Sequence, residues 1–248
     1  MSRELYSGVS GATAAWSQLD VVSHNLANSS TAGFKARKLT FQLAEGADNG
    51  GVLGQAYVEP GGSNIDLSTG APERTDRDLD LAIQGEGFFT LQGQNGDTLY
   101  TRNGQFTQDQ QGFVVTFAGD QLMSTAGPVQ LQQGEQLVVG EGGALSTTNG
   151  DDRGFLQIAG ANPEDLEPVG ATLFKINGPV RDLVQDSQSL GPTDKPMTIL
   201  QRHLERSNVN PMGAMVELIE ASRYFEAYQN LMKASDEADN RLSSMGRS

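Results

Sequence analysis

The sequence predicts an α+β fold, in which long N- and C-terminal helices pack as a coiled-coil-like pair and an all-β, barrel- or sandwich-like domain is inserted between them. Two observations indicate this arrangement. Apolar residues recur every three or four positions at both ends of the chain, which is the period of an α-helix. Between the ends, short alternating segments are separated by turn signals about every ten residues, which is typical of barrels and sandwiches. The predicted segments are an N-terminal helix (1–35), an extended linker (36–75), the β domain (76–190), a return segment (191–207) and a C-terminal helix (208–248).

The N-terminal segment is predicted to be helical from residue 3 to residue 28. Its apolar side chains follow steps of four and three, close to the 3.5-residue repeat of a coiled coil, with Ser23 at the one polar place. Small residues along this seam would let a neighbouring helix approach closely, and an ordinary amphipathic core helix is the alternative. The seam consists of Leu5, Val9, Ala12, Trp16, Leu19 and Leu26.

The middle of the chain reads as a series of short strands. Leu79, Leu81 and Ile83 alternate with polar or small residues, which indicates a half-buried strand. Asn95-Gly96 and Asn103-Gly104 are dipeptides suited to type I′ hairpin turns. The linker before them is rich in Gly, Ser, Asn and acidic residues and has little core of its own. Further strands are expected at 88–91, 98–101, 113–117 (as a central strand), 137–139, 155–159, 173–176 and 181–184.

The C-terminal segment predicts one helix from Pro211 to Met245. Asn210 can cap it, and Pro211 suits its first position, where the missing N–H costs nothing. No Gly or Pro interrupts the pattern after Ala214, so the helix should be roughly 50 Å long and should need a partner surface. Its apolar or small stripe consists of Met215, Leu218, Ala221, Phe225, Tyr228, Met232, Ser235, Ala238, Leu242 and Met245.

The composition excludes several classes of function. The formal charge is −14, from 17 basic and 31 acidic residues, so nucleic acid and anionic lipid are poor partners. There is no cysteine, which excludes disulfides, thiol catalysis and thiolate metal sites. No apolar run reaches the ~20 residues of a membrane span, so no membrane insertion is expected. Glu4 interrupts what would be the basic region of a signal peptide, which predicts a cytoplasmic protein or export without a cleaved signal.

No catalytic, cofactor-binding or metal-binding residue is predicted, and the chain is not expected to be an enzyme. His24 and His203, the only histidines, have no nearby carboxylate constellation. The segment from Gly85 to Gly87 lacks the third glycine of a dinucleotide fingerprint and precedes a strand. The acidic residues at 76, 78 and 80 have the spacing of a calcium loop but lack its glycine and closing glutamate, so a solvated strand face explains them better.

Four segments together resemble the bacterial flagellar rod and hook family. The first is His24-Asn25-Leu26-Ala27-Asn28 with Thr31-Ala32-Gly33-Phe34-Lys35, and the second runs from Leu81 to Phe89. The third is Tyr100-Thr101-Arg102-Asn103-Gly104-Gln105-Phe106, and the fourth joins Ser207-Asn208-Val209-Asn210 to Arg223-Tyr224-Phe225-Glu226. Each segment is a weak signal alone, and the set, in this order along the whole chain, is specific.

The resemblance implies an axial structural protein of the flagellar basal body, whose terminal helices form a tube around an export channel as the rod crosses the periplasm. It implies type III export without a cleaved signal, and as partners other rod proteins, copies of the chain and the export apparatus. The opening residues 5–12, the modest length and the short linker indicate a proximal-rod member; a distal-rod or hook-basal-body member is the alternative. The implied assembly interface comprises the helix positions Leu5, Val9, Ala12, Trp16, Leu19, Leu26, Met215, Leu218, Phe225, Met232 and Leu242, and the motif residues Asn25, Asn28, Gly33 and Phe34.

Gly33 is the predicted hinge of this family pattern. Glycine enters the left-handed region freely, and we expect it to aim Phe34 at a pocket on a neighbouring subunit or on the C-terminal helix. A β-branched residue at 33 should then strain the linker and not the β core. The basic run of Lys35, Arg37 and Lys38 is either a solvated stretch or a contact with an acidic surface on the next subunit.

An interpretation of a different class is a secreted enzyme acting on the cell wall, or a carbohydrate-binding β domain. The helical seams and the missing acid–base pair favour the structural interpretation over this one.

Overall fold

The structure is a computed structural model that describes residues 3–45, 56–183 and 197–245. The chain divides into two compact units. The helical unit is drawn from Met1–Ala27, Arg37–Asn64 and Asn210–Ser248, and the β unit from Asn28–Ala36 and Ile65–Val209. The chain therefore passes between the units at 27/28, 36/37, 64/65 and 209/210.

Among the described elements, the two long helices lie near the ends of the chain and the strands lie between them. The helices are α1 (Arg3–Ala27) and α2 (Pro211–Met245), with a short 3₁₀ helix at Pro163–Asp165. The strands are β1 (Arg37–Glu45), β2 (Ala56–Ile65), β3 (Pro72–Arg74), β4 (Leu81–Gln84), β5 (Phe88–Gln92), β6 (Thr98–Thr101), β7 (Thr107–Gln108), β8 (Val114–Val115), β9 (Gln121–Ser124), β10 (Gly127–Pro128), β11 (Leu137–Val139), β12 (Ala144–Thr147), β13 (Asp152–Phe155), β14 (Ile158–Gly160), β15 (Leu166–Pro168), β16 (Leu173–Ile176), β17 (Arg181–Asp182), β18 (Thr198–Gln201) and β19 (His203–Glu205).

In the helical unit, α2 begins as the sequence predicts. The side-chain oxygen of Asn210 accepts hydrogen bonds from the backbone N–H groups of Met212 and Gly213, at 3.1 and 3.3 Å. Pro211 follows the cap at the position that needs no N–H partner. The helix has 35 residues, and no helix within the described ranges combines the length and apolarity that crossing a membrane requires.

α1 and α2 pack against each other through small residues. A Cβ atom added at Gly11 of α1 would lie 2.4 Å from the ring of Tyr228 on α2, so only glycine allows this approach. The rings of Trp16 and Phe225 meet at the edge of the contact, with centroids 5.5 Å apart. Among the described side chains of the pair, the buried apolar ones are Ala12, Ala15, Val22, Ala214 and Ala221.

The segment predicted as an extended linker contains a two-stranded ribbon of β1 and β2. The amide of Asn25, near the end of α1, fixes the start of this ribbon. Its Nδ2 donates to the carbonyl of Arg37 at 2.8 Å, and its Oδ1 accepts from the Arg37 N–H at 2.9 Å. Residues 46–55, within the same predicted linker, lie outside the described chain.

The β unit is built on antiparallel pairing. Its largest described sheet runs in the order β15-β16-β6-β5-β9-β8-β7, with β10 beside β9 and with β14 joining β17 to β5. A second sheet has the order β11-β12-β13, and two short ladders pair β18 with β4 and β19 with β3. The late strands β18 and β19 thus close onto early strands, which brings the return segment back to the start of the β unit.

Most strand predictions match observed strands, with three corrections. The segment around β4 does not alternate: Leu81, Ala82 and Ile83 are all buried, because both faces of this strand are covered. The predicted central strand at 113–117 shortens to Val114–Val115, and Phe117 is exposed in the turn that follows. The predicted strand at 155–159 is two strands, β13 and β14.

A further correction concerns one of the two hairpin dipeptides. Gly96 has a φ of 82° and closes the β5–β6 hairpin as predicted. Gly104 forms no such turn. It lies against the backbone of Leu81, where an added Cβ atom would be 1.6 Å from the carbonyl oxygen, and its carbonyl accepts the Leu81 N–H at 3.0 Å. The glycine is required for close approach of two backbones and not for a positive φ.

Candidate functional site

The carboxylate of Glu205 lies at the centre of the β unit's most charged buried cluster. Its Oε1 accepts hydrogen bonds from Lys35 Nζ at 2.6 Å and from the Gly70 N–H at 2.8 Å. Its Oε2 forms an ion pair with Arg102 Nε at 3.2 Å. The backbone carbonyl of Glu205 also accepts the Gly33 N–H, at 2.7 Å. One residue at the end of β19 therefore holds three segments that are far apart in sequence.

Burial decides the electrostatics of this cluster. Lys35, Arg102 and Glu205 expose only 2%, 3% and 3% of their surfaces. Burial lowers the pKa of Lys35 and of Arg102 from their ordinary values, since a desolvated cation is disfavoured, while the charge of Glu205 opposes the shift in both. Arg102 further lowers the pKa of Lys35 by repulsion. Two buried cations thus depend on one carboxylate.

Gly33 adopts the backbone geometry that the sequence predicts. Its φ is 67°, in the left-handed region. An added Cβ atom would lie 2.3 Å from the backbone carbon of Arg102, so both conformation and space require glycine. Its surroundings differ from the expectation, because Gly33 packs against the β unit and does not lie in a free linker.

The amide of Asn208 joins the points where the chain enters and leaves the β unit. Its Oδ1 accepts the Ala36 N–H at 2.8 Å, and its Nδ2 donates to the Asp66 carbonyl at 2.9 Å. The Asp66 N–H in turn donates to the Ala36 carbonyl at 2.8 Å. Three crossings of the chain are therefore linked through one side chain.

Two predictions about this region are wrong. Phe34 is 1% exposed in the single chain, so its ring is buried within its own chain and is not left for a pocket on a neighbouring subunit. Lys35 is neither solvated nor available to a neighbour, because its ammonium is buried against Glu205. Of the same basic run, Arg37 is half-buried and Lys38 is exposed.

The acidic residues at 76, 78 and 80 also differ from a solvated strand face. Asp80 is buried, with Arg77 Nη1 3.5 Å from its carboxylate. Asp78 pairs with Arg202 at 2.7 Å, and Asp76 has a φ of 64° and is exposed. Within the described ranges no group of three potential ligands is placed to hold a metal ion.

The predicted helical seam shares residues with the observed contact but lies one face away on α1. Val9 and Trp16 are 51% and 56% exposed, because the helices approach through the smaller residues beside them. On α2, from Leu218 to Ser235, the predicted stripe agrees with burial, whereas Met215 is exposed where Ala214 is buried. The side chains of Leu5, Ala238, Leu242 and Met245 lie outside the described ones. The observed buried or half-buried stripes are Gly8, Ala12, Ala15, Leu19, Val22 and Leu26 on α1, and Ala214, Leu218, Ala221, Phe225, Tyr228, Met232 and Ser235 on α2.

Glu205, Arg102 and Asn208 are the functional residues that sequence reasoning missed. Arg102 and Asn208 stand inside the quoted motifs, and Glu205 lies two residues before the last one. The sequence feature that could have indicated the cluster is Arg102, which directly follows the predicted strand at 98–101. A cation buried at the end of a strand requires a carboxylate partner. Asn28, by contrast, makes a local contact, accepting the Thr31 hydroxyl at 3.2 Å.

Three family models match the chain in the order in which the cluster's residues occur. The model described as "Flagella basal body rod protein" matches residues 5–35. The "Flagellar hook protein FlgE/F/G D1 domain" matches residues 82–148, and the "Flagellar basal body rod FlgEFG protein C-terminal" matches residues 200–245. Lys35, Arg102 and Glu205 each fall in a different one of the three matches.

Curated relatives match along the whole chain. The flagellar basal-body rod protein FlgG of Bacillus subtilis is 31% identical over 270 residues, covering 100% of both chains. FlgF of Rhizobium meliloti is 31% identical over 251 residues, again with 100% of both covered. FlgF of Salmonella typhimurium is 26% identical over 252 residues, with 99% of this chain and 98% of the relative covered. These full-length matches confirm the resemblance of the four motifs: the chain belongs to the flagellar basal-body rod protein family.

Proposed function

We propose that this protein is a structural subunit of the flagellar basal-body rod, of the FlgF type found in the proximal rod. It assembles through its terminal helices with copies of itself and with other rod proteins. The assembly forms the drive shaft around the export channel and serves flagellum-dependent motility. The observation that carries this proposal is the helical unit, whose two helices bury small side chains between them and leave large apolar ones exposed.

The exposed apolar residues of the helical unit are numerous for a chain of this charge. Among the described side chains, Val9 and Trp16 are exposed on α1, and six large apolar or aromatic residues are exposed on α2 between Met212 and Leu231. Contiguous apolar surface of this kind marks a protein–protein interface. The exposed large side chains on the two helices are Val9, Trp16, Met212, Met215, Val216, Ile219, Tyr224 and Leu231.

The stripe spacing supports a coiled-coil-like geometry for the helix pair. One stripe of buried and half-buried positions on α2 follows steps of four and three from 214 to 235, and one on α1 does so from 8 to 26, with other half-buried positions beside it. A sustained seven-residue repeat favours a left-handed supercoil. In the assembled rod, the same helices present Val9, Trp16 and Met215 to neighbouring chains, so these positions of the proposed interface act between subunits.

The proposal includes the route and the place of the protein. It leaves the cell interior through the flagellar type III export apparatus, without a cleaved signal peptide, and resides in the rod where this crosses the periplasm. The acidic surface, with a net charge of −14, argues against nucleic acid as a partner. The proximal position rests on the FlgF-like opening residues and length; a distal-rod or hook-basal-body role is the alternative within the family.

The cavities of the β unit support a structural role over a cell-wall enzyme. Glycosidases use two carboxyl groups on either side of the scissile bond. The cavity of about 460 Å³ beside Lys35 and Arg102 has Glu86 as its one carboxylate, and the cavity of about 290 Å³ beside Tyr100 has Asp182 as its one carboxylate. Neither is lined by histidine.

The test changes the exposed face of α2 without touching its buried stripe. Val216→Ser with Ile219→Ser should leave the purified monomer's helicity and melting unchanged and should abolish rods and swimming when the variant replaces the native gene. Val138→Ser with Val169→Ser, at exposed sites of the β unit, is the matched control and should assemble. Normal basal bodies containing the α2 variant would contradict the proposal. A zymogram on cell-wall substrate, expected blank, separates the enzymatic alternative.

A further inference from the structure

The charged residues of the Glu205 cluster come from distant parts of the sequence. Both cations, Lys35 and Arg102, precede the β-unit strands that follow residue 102, whereas their shared carboxylate, Glu205, comes near the end of the β unit. Lys35 and Glu205 are separated by 170 positions. Besides Glu205, the described charges that act on these cations include Arg102 and Asp66 on Lys35, and Glu86 on Arg102.

The segment 28–36, called here the docking segment, makes four hydrogen bonds with the return side of the chain, besides those of Lys35 Nζ to the Ser68 carbonyl at 2.7 Å and of the Asp66 N–H to the Ala36 carbonyl at 2.8 Å. Gly33 N–H donates to the Glu205 carbonyl, and Lys35 Nζ donates to its carboxylate. Ala36 N–H donates to the Asn208 side chain, and the Asn208 N–H donates to the Phe34 carbonyl at 3.4 Å. Without the return residues 205–208, this segment loses four polar partners at once.

Burial makes the loss of these partners especially costly for the charged Lys35. A cation enclosed in a protein without its partner is strongly disfavoured, because its hydration is lost and nothing replaces it. Phe34 and Lys35 are adjacent, so burying the aromatic ring carries the ammonium into the interior beside Arg102. The apolar gain from Phe34 is therefore opposed by cation–cation repulsion until Glu205 arrives.

We propose that Glu205 sets the order of folding: the docking segment packs onto the β unit only after the return segment has brought Glu205 into its native position. The main sheet, from β5 to β9, contributes Phe89, Leu91 and Leu122 to an apolar core that includes none of the three charged residues of the Glu205 cluster. In a chain whose return segment has not yet folded, the main sheet is therefore formed while the docking segment is not yet packed against it. This inference concerns folding of the isolated chain and holds or fails independently of the role in the rod.

The first test measures amide exchange on the purified full chain with Glu205→Gln, which keeps the shape and the backbone carbonyl and removes the charge. The docking segment should exchange on the order of 100- to 1,000-fold faster than in the wild type, as expected for a buried pair broken on one side. Peptides from β5 and β9 should be unchanged. Glu73→Gln, which removes the exposed partner of Arg206 in the same ladder, is the matched control and should change nothing.

The double variant Lys35→Met with Glu205→Gln tests the charge argument itself. Removing one of the two cations should restore at least about tenfold of the protection lost in Glu205→Gln, because the repulsion disappears with Lys35. A double variant no better protected than the single one overturns the proposal, since Glu205 would then act by packing alone.

The second test uses the wild-type chain and so does not depend on any variant folding. During refolding from denaturant, pulsed hydrogen exchange should show β5 and β9 protected first. The docking segment and residues 203–208 should become protected later, with one shared rate. Protection of the docking segment together with the sheet, ahead of 203–208, would overturn the proposal.

Discussion

The two units of this chain bury different kinds of residue. The β unit encloses large side chains completely, among them Phe89 and Phe106, in a core that its own strands provide. The helical unit encloses chiefly alanine and glycine and leaves Trp16 and Ile219 largely exposed. Because stabilisation scales with the apolar area removed from water, burial within the single chain stabilises the β unit more than the helical unit. This difference agrees with the proposal that the helical unit is the part that assembles.

The sharpest test of this comparison is amide exchange in dilute monomer. We expect α1 and α2 to exchange at least about 100-fold faster than β5 and β9, since few buried contacts oppose their opening. The structure refines the boundary that the sequence predicts: residues 28–36 and 205–209 should be protected with the β unit, although they adjoin the helices. Equal protection of helices and sheet in a confirmed monomer would remove the distinction.

Leu218→Asp should destabilise the helical unit and leave the stability of the β unit unchanged. Leu218 is half-buried in the stripe of α2. A charge there should lower the stability of the helix–helix contact by roughly 2–4 kcal/mol, which is large because this contact buries mainly small side chains. Helicity by circular dichroism should fall while melting of the β unit is retained. Val216→Asp, at an exposed position two residues away, should leave both signals unchanged; loss of helicity in that control as well would assign the effect to propensity and not to packing.

Gly33→Ala should act on the β unit and not on a free linker. The positive φ costs about 1–2 kcal/mol for alanine, and the contact with the Arg102 backbone adds to it, for a total of about 2–4 kcal/mol. Gly96→Ala has a comparable φ of 82° with open space around it, and should cost only about 1 kcal/mol. Equal melting temperatures for the two variants would show that space around Gly33 is unimportant.

The smallest expected effect is a pH dependence confined to the helical unit. Burial, aided by the charge of Arg37, lowers the pKa of His24 below its ordinary value of 6.5. The unfolded chain then binds the proton more readily, so stability is full above about pH 6.5 and declines as the pH falls through and below it. Helix melting should drop between about pH 7 and pH 5 in the wild type and less in His24→Gln. An identical pH profile for both would exclude His24 as the cause.

Local chemistry explains which features the sequence could predict. Asn210 with Pro211, Gly96, and the positive φ of Gly33 each follow from rules that act within a few residues, and each is observed. The two helices and most strands follow from periodicity in the same way. The family follows from four motifs whose order along the chain is itself informative.

The failures share a different cause, which is that the deciding contact is distant in sequence. Nothing near Lys35 announces a carboxylate at Glu205, so a buried ammonium reads as a surface charge. Gly104 reads as a turn because a backbone approach by Leu81 leaves no trace in neighbouring residues. On α1, a heptad pattern identifies the correct helix but not which of two adjoining faces holds Ala12 and Ala15 toward α2.

The hydrogen bonds of Asn208 have a consequence for how such proteins can change in size over evolution. Its amide touches Ala36 and Asp66, so the two ends of the chain between Asp66 and Asn208 are neighbours in space. A segment whose ends meet can lengthen, shorten or be exchanged without separating the residues before and after it. The outer surface of the piece between these two positions can therefore diverge while Asn208 keeps its hydrogen bonds to Ala36 and Asp66.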